Sequence, residues 1–142
     1  MSVIYVGMTQ YNSIWPNHRH DSWELILNLR GNGVMNIDGA EYKYGPGTVI
    51  ICPPGTSHTK YSANGFWDIF MQFDNPRSFI KNKVVIFDDS AENTIRTLMY
   101  RALRYFNRKA SGYKEVLNAI LSLVLTVVSV PFLVKVALYT GN

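Results

Sequence analysis

Between Gly31 and Gly65 the chain is interrupted again and again by residues that turn a backbone. Gly31-Asn32-Gly33, Asp38-Gly39, Gly45-Pro46-Gly47, Pro53-Pro54-Gly55 and Asn64-Gly65 follow one another with only short segments between them. A tight two-residue turn needs φ > 0 at both centres, which makes Asp-Gly and Asn-Gly strong hairpin signals. They predict that Val34–Ile37 pairs with Ala40–Tyr44, and Thr59–Ala63 with Phe66–Phe73. Trp23–Arg30 and Thr48–Cys52 are rich in branched or aromatic residues and read as further strands. Strands near Val3–Met8 and Lys83–Phe87 complete the set. Short strands joined by turns make an antiparallel sandwich or barrel.

A chain of 142 residues, 47% of them hydrophobic, is long enough for one domain with a real core and too apolar for disorder. Its lone cysteine, Cys52, excludes an internal disulfide framework and a cysteine-based zinc finger. No basic segment followed by an apolar run opens the chain, so the reading is a cytoplasmic protein without an export signal. Charge is unevenly placed. Residues 1–90 hold seven Lys/Arg against eight Asp/Glu, whereas 91–142 hold seven against two. Only the second part could offer nucleic acid a basic surface, and Arg96, Arg101, Arg104 and Arg108 there read as a solvated helix face.

After Asp89 the period changes from two to that of a helix. Asp89 and Glu92 resemble a capping box, and Ile95, Leu98, Met99, Ala102 and Phe106 follow at helical spacing, with Gly112 as a stop. A second helix is expected from about Tyr113 to Val130, breaking before Pro131 and the apolar tail Phe132–Tyr139. Residues 116–134 carry no charge, a length close to that of a membrane span. Asn118, Ser122, Thr126 and Ser129 nevertheless form one polar stripe, as on a soluble helix covered on most sides. Leu117, Leu121, Val124, Leu125 and Val128 present more apolar surface than a monomer is expected to hide, which predicts a twofold homodimer through the helices.

One constellation carries chemistry: His18, His20, Glu24 and His58. Two residues apart on a strand, His18 and His20 face one way, and Glu24 shares their parity. Three imidazoles and a carboxylate suit a divalent ion such as Mn, Fe, Ni, Co or Zn, with open positions left for a substrate. The same residues equally suit the polar lining of an effector pocket, or, for His58, a backbone hydrogen bond in a tight turn. The residues alone leave these open. No additional nucleophile or acid/base pair is legible, so no catalytic residue is assigned.

The spacing His18-Arg19-His20, three residues, Glu24, six residues, Gly31 resembles the first motif of the cupin superfamily. Gly47, five residues, Pro53-Pro54-Gly55, two residues, His58 resembles the second. Asn12 stands where the first motif usually begins with glycine, and Ser62 where the second usually ends in Asn. A barrel with these motifs followed by two helices resembles the N-terminal sensor domain of AraC-type transcription regulators. Phe70-Met71-Gln72-Phe73 is similar to an aromatic strand there, with Gln72 in place of a His.

The resemblance implies a mostly β fold, a cupin-type double-stranded β-helix (jelly-roll) barrel followed by two C-terminal helices. Residues 1–88 would be the barrel and 89–142 a helical dimerisation segment packed on it. It implies a small-molecule effector, often a sugar, and DNA contact only through a separate domain that is not part of this chain, with no membrane partner. The chain would then be a fragment or a truncated relative. The effector pocket is expected inside the barrel, lined by Ile26 and Asn28 from the Glu24 strand, by Gln72, and by Trp15 at the mouth. The alternative is a small metal-dependent cupin enzyme of dioxygenase or isomerase type, and a third reading is a storage or carbohydrate-binding barrel.

Overall fold

The computed structural model describes residues 1–74 and 82–140, with the backbone alone for Tyr11 and 130–140. Seven strands precede two helices: β1 (Ser2–Arg19), β2 (Trp23–Arg30), β3 (Gly33–Ile37), β4 (Ala40–Tyr44), β5 (Thr48–Cys52), β6 (Ser57–Asp74), β7 (Val85–Asp88), α1 (Thr94–Arg108) and α2 (Tyr113–Thr140). All pairings are antiparallel. β6 organises the barrel. Along one edge it pairs with β1 from Ser2↔Asp74 to Arg19↔Ser57. Along the other it pairs first with β3, through His58–Tyr61, and then with β2, through Trp67–Phe73. One strand therefore belongs to two leaves and must bend between them. The mostly β jelly-roll architecture with helices at its C-terminal end is the expected one.

Asp38-Gly39 makes the expected hairpin between β3 and β4, with φ of 49° and 88° at its centres. Asn64-Gly65 does not make one. Of that pair only Gly65 has positive φ, at 89°, so the two-residue turn geometry is unavailable. Ser62–Gly65 instead face the single residue Ser13 between the Asn12↔Phe66 and Ile14↔Tyr61 pairs. This bulge, closed by Ser62 Oγ donating to the Gly65 carbonyl (3.1 Å), is the corner at which β6 changes leaf. Gly31 (φ 93°) passes so close that a Cβ there would lie on the Gly65 carbonyl oxygen. β1 runs well past the expected Met8 because β6 offers it a partner along its whole length. Pro16 is tolerated there because β1 pairs on one side only.

β2 is buried on both faces. Trp23, Leu25, Leu27 and Leu29 point outward, under the helices, and join Val49, Ile51, Ile69, Met71 and Phe73. Ile26 points into the barrel with Met35, Ile37, Tyr44, Ile50, Cys52 and Phe66. Ile95, Met99 and Ala102 of α1 lie on the outer layer, with Leu98 and Phe106 half-buried beside them.

Four expectations about the helices are corrected. α1 begins at Thr94, not Asp89, because Ser90–Glu92 form a turn ahead of it. Asp89 still caps it from outside, its buried carboxylate accepting from the amides of Ile95 (2.9 Å) and Arg96 (2.8 Å), while Glu92 is exposed. Lys109, not Gly112, closes α1 with left-handed φ. α2 runs through Pro131 to Thr140, since a proline removes one backbone bond without reversing the preference of a long helical segment.

Leu117, Leu121, Val124, Leu125 and Val128 are all buried within the single chain, against the outer sheet layer and α1. They are not available to a second copy. β1 covers one side of α2 and α1 covers another. No helix of the described residues is long and apolar enough to cross a membrane.

Candidate functional site

Three segments carry the His/Glu set to one end of the barrel interior. His18 is near the end of β1 and pairs with His58 at the start of β6. His20 lies in the connection to β2, whose second residue is Glu24. The break between β1 and β2 does not scatter them, because the Pro53-Pro54-Gly55 turn holds the connection in place. The Gly55 amide, at a φ of 80°, donates to the His20 carbonyl (2.8 Å). The second motif thus positions a residue of the first.

Glu24 is the hub. Its Oε1 lies 3.2 Å from His58 Nε2 and its Oε2 3.0 Å from His20 Nε2, while Gln72 Nε2 donates to Oε2 at 3.2 Å. The His20 contact is close but not aligned as a hydrogen bond. Burial raises the Glu24 pKa, but the His58 hydrogen bond, the charges of His20 and His58 and the Gln72 amide outweigh it. The carboxylate is held below its ordinary value. Burial is also the largest influence on His18 and lowers its pKa, against the opposing bond to the Pro16 carbonyl. Cys52, paired with Glu24 across β2 and β5, has its thiol pushed up to about 12 by burial and by Glu24 and Asp38.

One donor atom from each of His18, His20, Glu24 and His58 lies within 4.8 Å of the others. Ligands about 2.1 Å from a shared ion sit at most about 4.2 Å apart, so the set would have to close by only about half an ångström. His58 Nδ1 and His20 Nε2 are buried without a hydrogen-bond partner among the described residues. The donor set, its proximity and these unpartnered nitrogens fit a divalent cation.

The set opens on a cavity of about 330 Å³ inside the barrel, a volume within the range of small-molecule sites. Trp15, Ile26 and Gln72 line it, as do Tyr5, Phe66 and Phe70. Asn28 does not. It shares the inward face of β2, but its amide is consumed: Nδ2 donates to the Gly31 carbonyl (2.7 Å) and Oδ1 accepts from Lys60 Nζ (3.1 Å). Asn28 stands behind the cavity wall.

The sequence reading missed Lys60 and Asp68, which also line the cavity and are 3% and 4% exposed. Lys60 Nζ donates to Asp68 Oδ2 at 2.7 Å and lies over the rings of Tyr44 (4.6 Å) and Phe66 (4.3 Å). Burial pulls the Lys60 ammonium below its ordinary value, and Asp68 opposes that pull. The available signal was parity: Lys60 is two residues from His58 on one strand, hence on the same inward face.

A family profile for the AraC-like ligand-binding domain matches residues 2–72, half of the chain and all of β1 to nearly the end of β6. The chain belongs to that family. That profile describes a ligand-binding domain, and the cavity described above lies inside its barrel. Among curated proteins none matches the sequence. Solved structures similar to this AraC-like domain include a conserved protein of unknown function from Streptococcus pyogenes, 20% identical over 50% of this chain and 66% of that one, with a TM-score of 0.44. A predicted oxalate decarboxylase from Thermotoga maritima is 18% identical over 52% and 69%, with a TM-score of 0.48. An RmlC-like cupin from Shewanella frigidimarina is 16% identical over 56% and 72%, with a TM-score of 0.47. The chain spans just under two thirds of the S. pyogenes protein.

Proposed function

We propose that this chain is the effector-sensing domain of an AraC-type regulator acting in the cytoplasm, and that its effector is a small polar molecule with an apolar face, such as a sugar. The observation that carries the reading is the cavity itself. Aromatic rings of Tyr5, Trp15, Phe66 and Phe70 flank it, and polar groups converge from Glu24, His58, Lys60, Asp68 and Gln72. A ligand bound only by the folded state raises stability by mass action, so thermal-shift screening of sugars and related metabolites tests it. A stabiliser whose effect is lost in Phe70→Ala supports the reading. No shift from any metabolite class withdraws it.

Dimerisation through the helices belongs to the same proposal, but with a different surface. The outer side of α2 presents Ala119, Ser122, Leu123 and Thr126, with Leu123 49% exposed. Sedimentation of the chain and of Leu123→Glu tests it, and a monomer at every concentration for the unmodified chain removes this part. DNA contact would pass through a separate domain.

The second reading, a metal-dependent cupin enzyme, is favoured by the His/Glu set opening on the cavity. A bound divalent ion would supply Lewis-acid chemistry there. Of the chain's own residues, His18, His20, Glu24 and His58 would hold it and Gln72 would orient Glu24. Calorimetric titration with Ni²⁺ or Mn²⁺, repeated on His58→Ala, tests the metal site. Turnover of a small substrate by the loaded protein would favour the enzyme over the sensor.

A further inference from the structure

His18 has no free nitrogen. The indole N–H of Trp15 donates to His18 Nε2 at 3.0 Å, and His18 Nδ1 lies 2.9 Å from the Pro16 carbonyl oxygen. A carbonyl only accepts and an indole N–H only donates, so the two partners fix the ring between them. His18 is neutral, with its proton on Nδ1 and its lone pair on Nε2. A histidine held through one nitrogen by a backbone carbonyl ligates a metal through the other. The Pro16 carbonyl therefore sets the metal-competent tautomer, while Trp15 sits on the lone pair that a metal would use. His20 and His58 differ: their Nε2 atoms face Glu24, a fellow ligand.

We propose that Trp15 and a divalent cation compete for Nε2 of His18, so that filling the His18/His20/Glu24/His58 site swings the Trp15 indole off the histidine. The proposal rests on the metal reading of that site. Its geometry permits the movement. Trp15 is 38% exposed, its ring meets His18 edge to face at 5.6 Å, and it lies at the cavity wall rather than in either core cluster. Trp15 is then a gate on the fourth ligand, and its own environment reports whether the site is filled.

The experiment is a Zn²⁺ titration of the whole chain, read in parallel by calorimetry and by tryptophan emission. Zinc is closed-shell and redox-silent, so an emission change reports movement of the indole. Binding to the unmodified chain should change the emission. The change should vanish in Trp15→Phe and in His18→Ala. Removing a hydrogen bond that the ion must break should tighten Zn²⁺ binding to Trp15→Phe by about three- to tenfold. Should Trp15→Phe fold poorly, the emission of the unmodified chain against His18→Ala decides the question. Equal or weaker zinc affinity in Trp15→Phe, or stoichiometric binding with unchanged emission, overturns the gate and leaves the metal site standing. Absence of zinc binding in both chains overturns gate and metal site together, and leaves the effector reading to its own thermal-shift test.

Discussion

The Lys60–Asp68 pair offers the sharpest test of the barrel interior. Both side chains are almost wholly buried and their charged atoms are 2.7 Å apart. With an effective dielectric constant near 20, the attraction at that distance is about 6 kcal/mol. Withdrawing two ions from water costs several kcal/mol for each, so the intact pair contributes little net stability. Breaking it is another matter. Lys60→Met keeps most of the stem's volume but abandons a buried carboxylate, and Asp68→Leu abandons a buried ammonium. Each single change should cost about 3–5 kcal/mol. For a domain of this size that is a fall of roughly 10–20 °C in Tm. The double variant Lys60→Met/Asp68→Leu should return to within about 2 kcal/mol of the unmodified chain, the residue being the donor lost by Asn28. Urea unfolding followed by circular dichroism, run as a double-mutant cycle, measures all four corners. Single changes costing under about 1 kcal/mol, or a double cost equal to the sum of the singles, would refute the reasoning. Either result would mean that water reaches the pair.

Three further outcomes are expected. Asp89→Ala should cost about 2 kcal/mol in urea unfolding, since it strips two amides of α1 of a charged acceptor, and Asp89→Asn should recover part of it. Glu24 is held below its ordinary value of 4.5, so its contribution is complete above about that pH and is lost as pH falls through the lower folded value. The stability difference between the unmodified chain and Glu24→Gln, measured by urea unfolding across pH, should shrink as pH falls below 4.5. Leu121→Ala should cost about 2–5 kcal/mol, and Leu121→Glu should give unfolded or aggregated chain rather than a folded monomer, as circular dichroism with sedimentation would show.

Much of the site was legible because its logic is local. Strand parity alone placed Glu24 and Ile26 on one inward face of β2, and Asp-Gly alone fixed the β3–β4 turn, whereas His18 joins them across the β1–β2 break. Parity could not tell Ile26, at the cavity wall, from Asn28, behind it. That depends on Lys60 reaching across from β6 to occupy the Asn28 amide. Nor could a dipeptide reveal whether Asn64-Gly65 is a hairpin or a corner, since the choice lies in the β1 register opposite it.

The division between the two levels follows from the range of the forces. The sequence by itself determined the strand-rich first part, the helical second part, the spacing of His18, His20 and Glu24, and the Asp38-Gly39 turn, because each depends on residues a few positions apart. Tertiary structure decided the length of β1 and β6, the burial of Leu121 and Leu125 inside one chain, the arrival of His58 beside Glu24, and the Lys60–Asp68 pair. An apolar helix face is satisfied equally by its own sheet or by a twin, and a buried charge is tolerable only where its partner arrives from elsewhere in the chain. Which surface covers the one and which residue meets the other is settled by the path of the backbone, where β6 bends at Gly65 and turns its two halves to face each other across the cavity.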